Sequence, residues 1–171
     1  MKRYYFISLW LIATVVSLLC TACHSNHPQI QAAYDLIERV TPGYGNQFQL
    51  ELIDSENGKD VYEIGSQNGK VLLRGNNPVA LATAYNQGAD EGIRQAQAEG
   101  LLGPMLKVWR TSGDDAVCDM CAALDGTEIG MDDSFAYAGK LLFPEQRLLP
   151  PAHPRCACAV EYIESPVFRY A

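Results

Sequence analysis

QFQLELIDSENGKDVYEIGSQNGKVLLRGNNP, residues 47–78, is the stretch on which the fold turns. Phe48, Leu50 and Leu52 alternate with Gln49, Glu51 and Ile53, the two-residue period of a half-buried strand. Asn57-Gly58 follows as a good hairpin turn, and Val61-Tyr62-Glu63-Ile64 reads as the next strand. Asn68-Gly69 marks a second turn into Val71-Leu72-Leu73-Arg74. Gly75-Asn76-Asn77-Pro78 then leads into an Ala-rich helix beginning near Val79. The expectation is a small antiparallel sheet of three strands.

Upstream, Ile30, Ala33, Tyr34, Ile37 and Val40 recur at helical spacing, so 29–40 reads as an amphipathic helix stopped by Thr41-Pro42-Gly43. Helix, three strands and helix make an α+β unit over residues 28–85. Downstream, residues 80–98 read as one long helix, interrupted by Gly88 and Gly92 and broken by Leu101-Leu102-Gly103-Pro104. Lys107 to Thr111 is strand-like, a loop runs to about Leu148, and Ala159 to Ile163 closes as a strand. The second unit, 86–163, is expected to be a small α+β module stabilised by its cysteines and a histidine. Trp109, Tyr137 and Phe143 are read as core or lid contacts.

That second unit holds Cys118-Asp119-Met120-Cys121 and His153-Pro154-Arg155-Cys156-Ala157-Cys158. A C-x2-C turn places two thiolates on one side of a metal, as in a zinc knuckle. His153 and Cys156 can supply the other two tetrahedral positions, so Cys118, Cys121, His153 and Cys156 are the candidate ligands and zinc the candidate ion. Pro150, Pro151 and Pro154 stiffen the approach. Cys158 is a substitute ligand or a free thiol. A disulfide framework among the four cysteines, or unpaired thiols, remain open readings. A catalytic Cys–His pair has no unique nucleophile here, and a redox C-x-x-C lacks its usual βαβ surroundings.

Two resemblances attach to these phrases. AAYDLIERVTPGYGNQFQLELI and VYEIGSQNGKVLLRGNNPVALATAYNQ, within residues 28–87, resemble the N-terminal domain of bacterial α-N-acetylglucosaminidases, glycoside hydrolase family 89. The resemblance implies an accessory domain beside a catalytic barrel, and this sequence does not continue into that barrel. Glycoside hydrolysis needs two carboxylates held across a sugar. Glu51, Asp54, Glu56 and Glu63 are instead read as an ordinary sheet face and turn, so no glycosidase activity is expected. AYNQGADEGIRQAQAEG, KVWRTSGDDAVCDMCAALDG and LLPPAHPRCACAVEY, from Ala84 to Ile163, resemble the C-terminal part of phage Mu F-like minor head (head morphogenesis) proteins. That implies a role in prohead assembly, with portal or coat proteins as partners. The two resemblances overlap at residues 82–87 with no Gly-, Ser- or Pro-rich linker between them, which reads as a joined or recombined chain, with a natural two-domain protein as the competing account.

Residues 1–23 read as an address. Lys2 and Arg3 precede an uncharged, nearly all-apolar run from Tyr4 to Leu19, and Ala22 stands before Cys23. The pattern resembles a lipoprotein signal peptide with Cys23 as the lipidated residue. It implies a lipid-anchored protein of the cell envelope, against the virion or cytoplasm that the phage-like half implies. The alternative is an uncleaved anchor, for which the run is short. His24 and His27 are read as solvated. The net charge of -7 over 171 residues is acidic in both units and excludes a nucleic-acid partner held through phosphates. The whole reads as a non-catalytic two-part protein with a structural or assembly role. The alternative is an exported surface lipoprotein fragment associated with degradation of N-acetylglucosaminide-containing glycans.

Overall fold

The computed structural model describes residues 27–138, 140–141 and 149–166. The leader with Cys23, His24, and Phe143 lie outside these residues. Helix α1, Pro28–Val40, begins on a proline, whose missing N–H is no loss in a first helical turn. It buries Ile30, Ala33, Leu36 and Ile37 on one stripe. Thr41 ends it: its N–H and its hydroxyl both donate to the Ile37 carbonyl, at 2.7 and 2.9 Å.

Three strands follow, β1 Phe48–Leu52, β2 Tyr62–Gln67 and β3 Lys70–Gly75. The α+β class is as expected. The sheet, however, is mixed, with order β1-β3-β2. β2 and β3 form the expected hairpin, with Asn68 and Gly69 at φ 53° and 75°, the left-handed pair its two-residue turn requires. β1 pairs with β3 in parallel, Phe48 opposite Val71 and Leu52 opposite Gly75. Hydrophobicity decides the middle position. β3 carries Val71-Leu72-Leu73 and buries both leucines, whereas every residue of β2 is exposed and suits an edge. The Asn57-Gly58 turn does form, closed by a bridge between Glu56 and Lys59, but inside the connector that carries the chain past β3.

Helix α2, Pro78–Ala98, is continuous through Gly88 and Gly92. The Asn77 side chain caps it by accepting from the Ala80 N–H at 2.9 Å. Its neighbour Asn76 accepts from the Val61 N–H at 3.0 Å and donates to the Lys59 carbonyl at 3.1 Å, which fastens the connector to the helix start. The helix ends one turn before the predicted Leu101–Pro104 breaker. Gly100 takes φ 73°, its N–H reaches the Gln97 carbonyl, and the Leu101 N–H reaches the Ala96 carbonyl at 2.8 Å, a Schellman closure.

Strand β4, Met105–Arg110, is central in a second sheet of order β5-β4-β8, antiparallel throughout. Short helix α3 is Asp119–Leu124, β5 is Glu128–Gly130, β6 is Ala136–Tyr137, β7 is Lys140–Leu141 and β8 is Ala159–Glu164. The predicted loop to Leu148 therefore holds β5, β6 and β7, and the C-x2-C turn opens a helix. Trp109 is fully buried and meets Phe135 edge to face, ring centroids 5.1 Å apart. Tyr137 is half-buried.

The two units share a core, which weakens the account of two merely joined parts. Ala159 of β8 packs in one cluster with Ile30, Leu36, Ile37, Leu73, Leu81 and Tyr85. Residues 82–87 lie inside α2, where both units use the same helix. Asn86, Asp90 and Arg94, one turn apart along it, face the second sheet. The Val160 N–H donates to Asn86 Oδ1 at 2.9 Å, and Tyr162 donates to Asp90 Oδ1 at 3.3 Å. Arg94 bridges Asp90 and Asp132, each at 2.8 Å, and also donates to the Met131 carbonyl.

Two glycines test the helix–sheet packing. Gly92→Ala places a methyl where no atom lies within 4 Å, and removal of glycine's backbone entropy should stabilise the chain by about 1 kcal/mol. Gly75→Ala drives a Cβ to 2.7 Å from the Leu81 backbone nitrogen and should destabilise it by about 1–3 kcal/mol. Urea midpoints of the two variants should move in opposite directions.

Candidate metal centre

The second unit brings its sulfurs and its histidine together. Cys118 is the N-cap of α3, and the Cys121 N–H, at the end of that first turn, donates to its Sγ at 3.5 Å. This places both sulfurs on one side of a single helical turn. Two residues after His153, Arg155 adopts φ 64°, and the Cys156 N–H bonds back to the His153 carbonyl at 3.1 Å. The tight turn aims the ring and the Cys156 sulfur toward α3.

His153 Nε2 lies 3.2 Å from Cys118 Sγ and 3.3 Å from Cys121 Sγ, and Cys121 Sγ lies 3.8 Å from Cys156 Sγ. A tetrahedral zinc, with bonds of about 2.3 Å to sulfur and 2.0–2.1 Å to nitrogen, would set sulfurs about 3.8 Å apart and sulfur to nitrogen about 3.5 Å. These three distances fit that geometry within a few tenths of an ångström, although Cys118, Cys121, His153 and Cys156 do not form a single group within 4.8 Å. The other ring nitrogen, Nδ1, is 2.9 Å from the Pro154 carbonyl. Donation there leaves Nε2 as the atom facing the sulfurs, the outer contact that orients a metal-binding imidazole. A cleft of about 50 Å³ opens over the cluster, between Ser112, Val117 and Arg155.

Two overlapping sets of three donors emerge, Cys118 with Cys121 and His153, and Cys121 with Cys156 and Cys158. In each set the ligating atoms lie within 4.8 Å of one another. Each could hold a metal ion. The four cysteines among the described residues are free thiols, and the 3.8 Å between Cys121 and Cys156 is well beyond a disulfide bond of about 2.05 Å. Cys158, read from sequence as a spare, is buried beside the predicted ligands. The signal for it was the C-x-C spacing running into a strand, which turns residues 156, 158 and 160 to one face. Sequence reading also missed Asn86, Asp90 and Arg94, a polar i, i+4, i+8 stripe on a helix otherwise packed with alanine.

The cluster polarises its own thiols. Cys156 is brought down to about 5, chiefly because the Cys158 thiol donates to it, with further donors including backbone N–H groups and Cys121. Cys158 is pushed up by the same contact and by burial. Burial pushes Cys121 up to about 12. Cys118 is lowered, mainly by the Cys121 N–H. His153 is raised, first by its bond to the Pro154 carbonyl. Cys156, which receives two thiol donors, is the buried member of the group most readily ionised.

The carboxylates of the first unit are arranged otherwise. Glu51 and Glu63 flank Arg74 across β1, β3 and β2, at 2.8 and 3.2 Å from its guanidinium. Glu51 is held below the usual carboxylate range, first by its bond from Arg74. The Arg74–Glu63 pair is exposed and the Arg74–Glu51 pair only partly buried, so both are worth little stability. Both carboxylates are thus committed to a single guanidinium.

Fold and cluster define a small α+β protein with a cysteine–histidine centre set beneath a helix shared by two units. Residues 73–161 match the family model described as phage Mu protein F like protein, which spans more than half of the chain. The chain belongs to that family. Residues 31–87 match the model of the α-N-acetylglucosaminidase N-terminal domain, an accessory domain and not the catalytic one. Among solved structures, a family 89 glycoside hydrolase from Clostridium perfringens is similar at 34% identity, over 36% of this chain and 7% of that one, with a TM-score of 0.35. This chain thus spans a small fraction of that enzyme's length. No curated protein matches it.

Exposure and charge together set the order of thiol reactivity in the metal-free chain. Cys118 is half-exposed and its pKa is lowered, while the other three thiols are buried. Iodoacetamide should label Cys118 first, and its rate should still be rising toward its plateau below the pH range of an ordinary thiol. Peptide mass spectrometry reads the order; labelling that begins at Cys121 or Cys158 contradicts it.

Proposed function

We propose that the protein is a non-catalytic assembly module whose cysteine–histidine centre binds one zinc ion through Cys118, Cys121, His153 and Cys156. The observation that carries this reading is the approach of His153 Nε2 to two sulfurs at 3.2 and 3.3 Å, with Nδ1 engaged by Pro154. Four protein donors would close the coordination sphere, the form of a structural and not a catalytic zinc. The ion would supply fixed cross-links between α3 and the turn before β8. The partners in this reading are portal or coat subunits, as the resemblance to head morphogenesis proteins implies.

The chain as purified should contain one equivalent of zinc. A chelator should lower its Tm by roughly 10 °C or more, since a ligand bound only by the folded state stabilises it. Cys118→Ser and His153→Ala should lose most of the metal affinity. Cys158→Ser should keep one equivalent; a loss as large as that of Cys118→Ser would move the fourth ligand from Cys156 to Cys158. Co-purification with portal or coat subunits supports the assembly role, and a chain inert to both counts against it.

No hydrolysis of a chromogenic N-acetylglucosaminide is expected, because Glu51 and Glu63 are both bound to Arg74 and the glycosidase match is to the N-terminal domain. Release of the chromophore at a rate abolished by one carboxylate substitution would overturn the non-catalytic reading. A second reading, an exported lipoprotein fragment linked to glycan degradation, draws on the accessory-domain match and the leader sequence. It requires acylation at Cys23, and a Cys23→Ser chain that localises unchanged removes it.

A further inference from the structure

The segment Cys156-Ala157-Cys158-Ala159-Val160 is two-faced. Cys156, Cys158 and Val160 pack in the cluster around Trp109 and Cys121. The intervening residues face the other way. Ala159 is fully buried among Ile30, Ala33, Leu36 and Ile37 of α1, and the Ala157 carbonyl accepts from Arg39 of α1 at 2.5 Å. This follows from the period of extended backbone, in which neighbours point to opposite sides. The same loop has a third role. Pro154 and Ala157, with Ala32 and Leu36 of α1 and Val79 of α2, line a cleft of about 760 Å³ between the two units.

We propose that metal binding at the cysteine–histidine centre is coupled through this ribbon to the docking of α1, so that the ion regulates closure of the first unit on the second. The inference rests on the metal reading above. An ion gripping the Cys156 sulfur fixes the backbone whose opposite face is the seat of α1. Without it, the Cys156 sulfur is held by hydrogen bonds alone, and the backbone by the His153, Arg39 and Asn86 contacts. Arg39 is exposed and far from any ligand in sequence, yet it grasps the carbonyl between the two sulfurs. It is a positioning residue for the ribbon, and Ala159 is the apolar contact beside it.

Coupling between two sites is reciprocal, which makes the proposal measurable on the full chain. Zinc is loaded and then stripped with a chelator, with hydrogen exchange of residues 28–40 followed by mass spectrometry and bound zinc quantified in parallel. Stripping should speed exchange in α1 on the order of tenfold, within the usual range of coupling factors. Arg39→Ala leaves every thiol and His153 in place. It should cut the zinc-dependent protection of α1 severalfold and weaken zinc binding by a matching factor. Zinc bound with unchanged exchange in α1 overturns the coupling and leaves the metal reading standing. A chain that binds no zinc overturns both. Full zinc-dependent protection and unaltered zinc affinity in Arg39→Ala also overturn the coupling.

Discussion

The arrangement depends on one buried carboxamide. Asn86 sits in the middle of α2 without solvent contact; its Nδ2 donates to the Ala82 carbonyl and its Oδ1 accepts from the Val160 N–H, both at 2.9 Å. A buried amide left unpaired costs about 1–3 kcal/mol, so each partner is bound to the other. The contact with Val160 fixes where β8 begins. With that position set, the residues before it must alternate, and Cys156 and Cys158 face α3 while Ala157 and Ala159 face α1. Two residues' displacement would return the same faces but carry His153 away from Cys118. The helix thereby sets the register of the strand, and the strand sets the position of the sulfurs.

Local chemistry made part of this legible in the sequence. Asn68-Gly69 and Asn57-Gly58 both adopt the left-handed conformation that their residue types allow cheaply. The stripe of α1 and the close of α2 near a glycine are written in spacings of a few residues. The parallel pairing of β1 with β3 was not legible, because it is a contest between strands for the central place, settled by the burial of Leu72 and Leu73. The three residues of β5 are too few to display an alternating pattern, and they exist as a strand because Leu106 and Val108 offer them an edge.

The metal centre divides in the same way. Which residues could bind was plain from C-x2-C and H-x2-C, since those spacings fit single turns of backbone. The convergence of the two motifs, more than thirty residues apart in sequence, needed the second sheet and the Asn86 contact. Cys158 was undervalued because its sulfur was counted as a possible ligand and not as a donor to its neighbour. Its hydrogen bond makes Cys156 the anionic member of the group. The resemblance to two families, meeting at 82–87, was visible as well. That the meeting place is a shared helix with buried faces on both sides was not, since it is a property of packing.

β4 and β8 pair along six positions, from Met105 opposite Glu164 to Arg110 opposite Ala159. The partners lie about fifty to sixty positions apart, wider than in any other strand pair among the described residues, so this ladder costs more chain entropy to close than the other strand pairings. Folding should accordingly be staged: the β2–β3 hairpin and α2 form from near neighbours, and the second sheet zips last onto a helix already in place. Until it does, the thiol-bearing segments remain apart, and the nascent chain passes through an interval in which its cysteines are accessible to any electrophile.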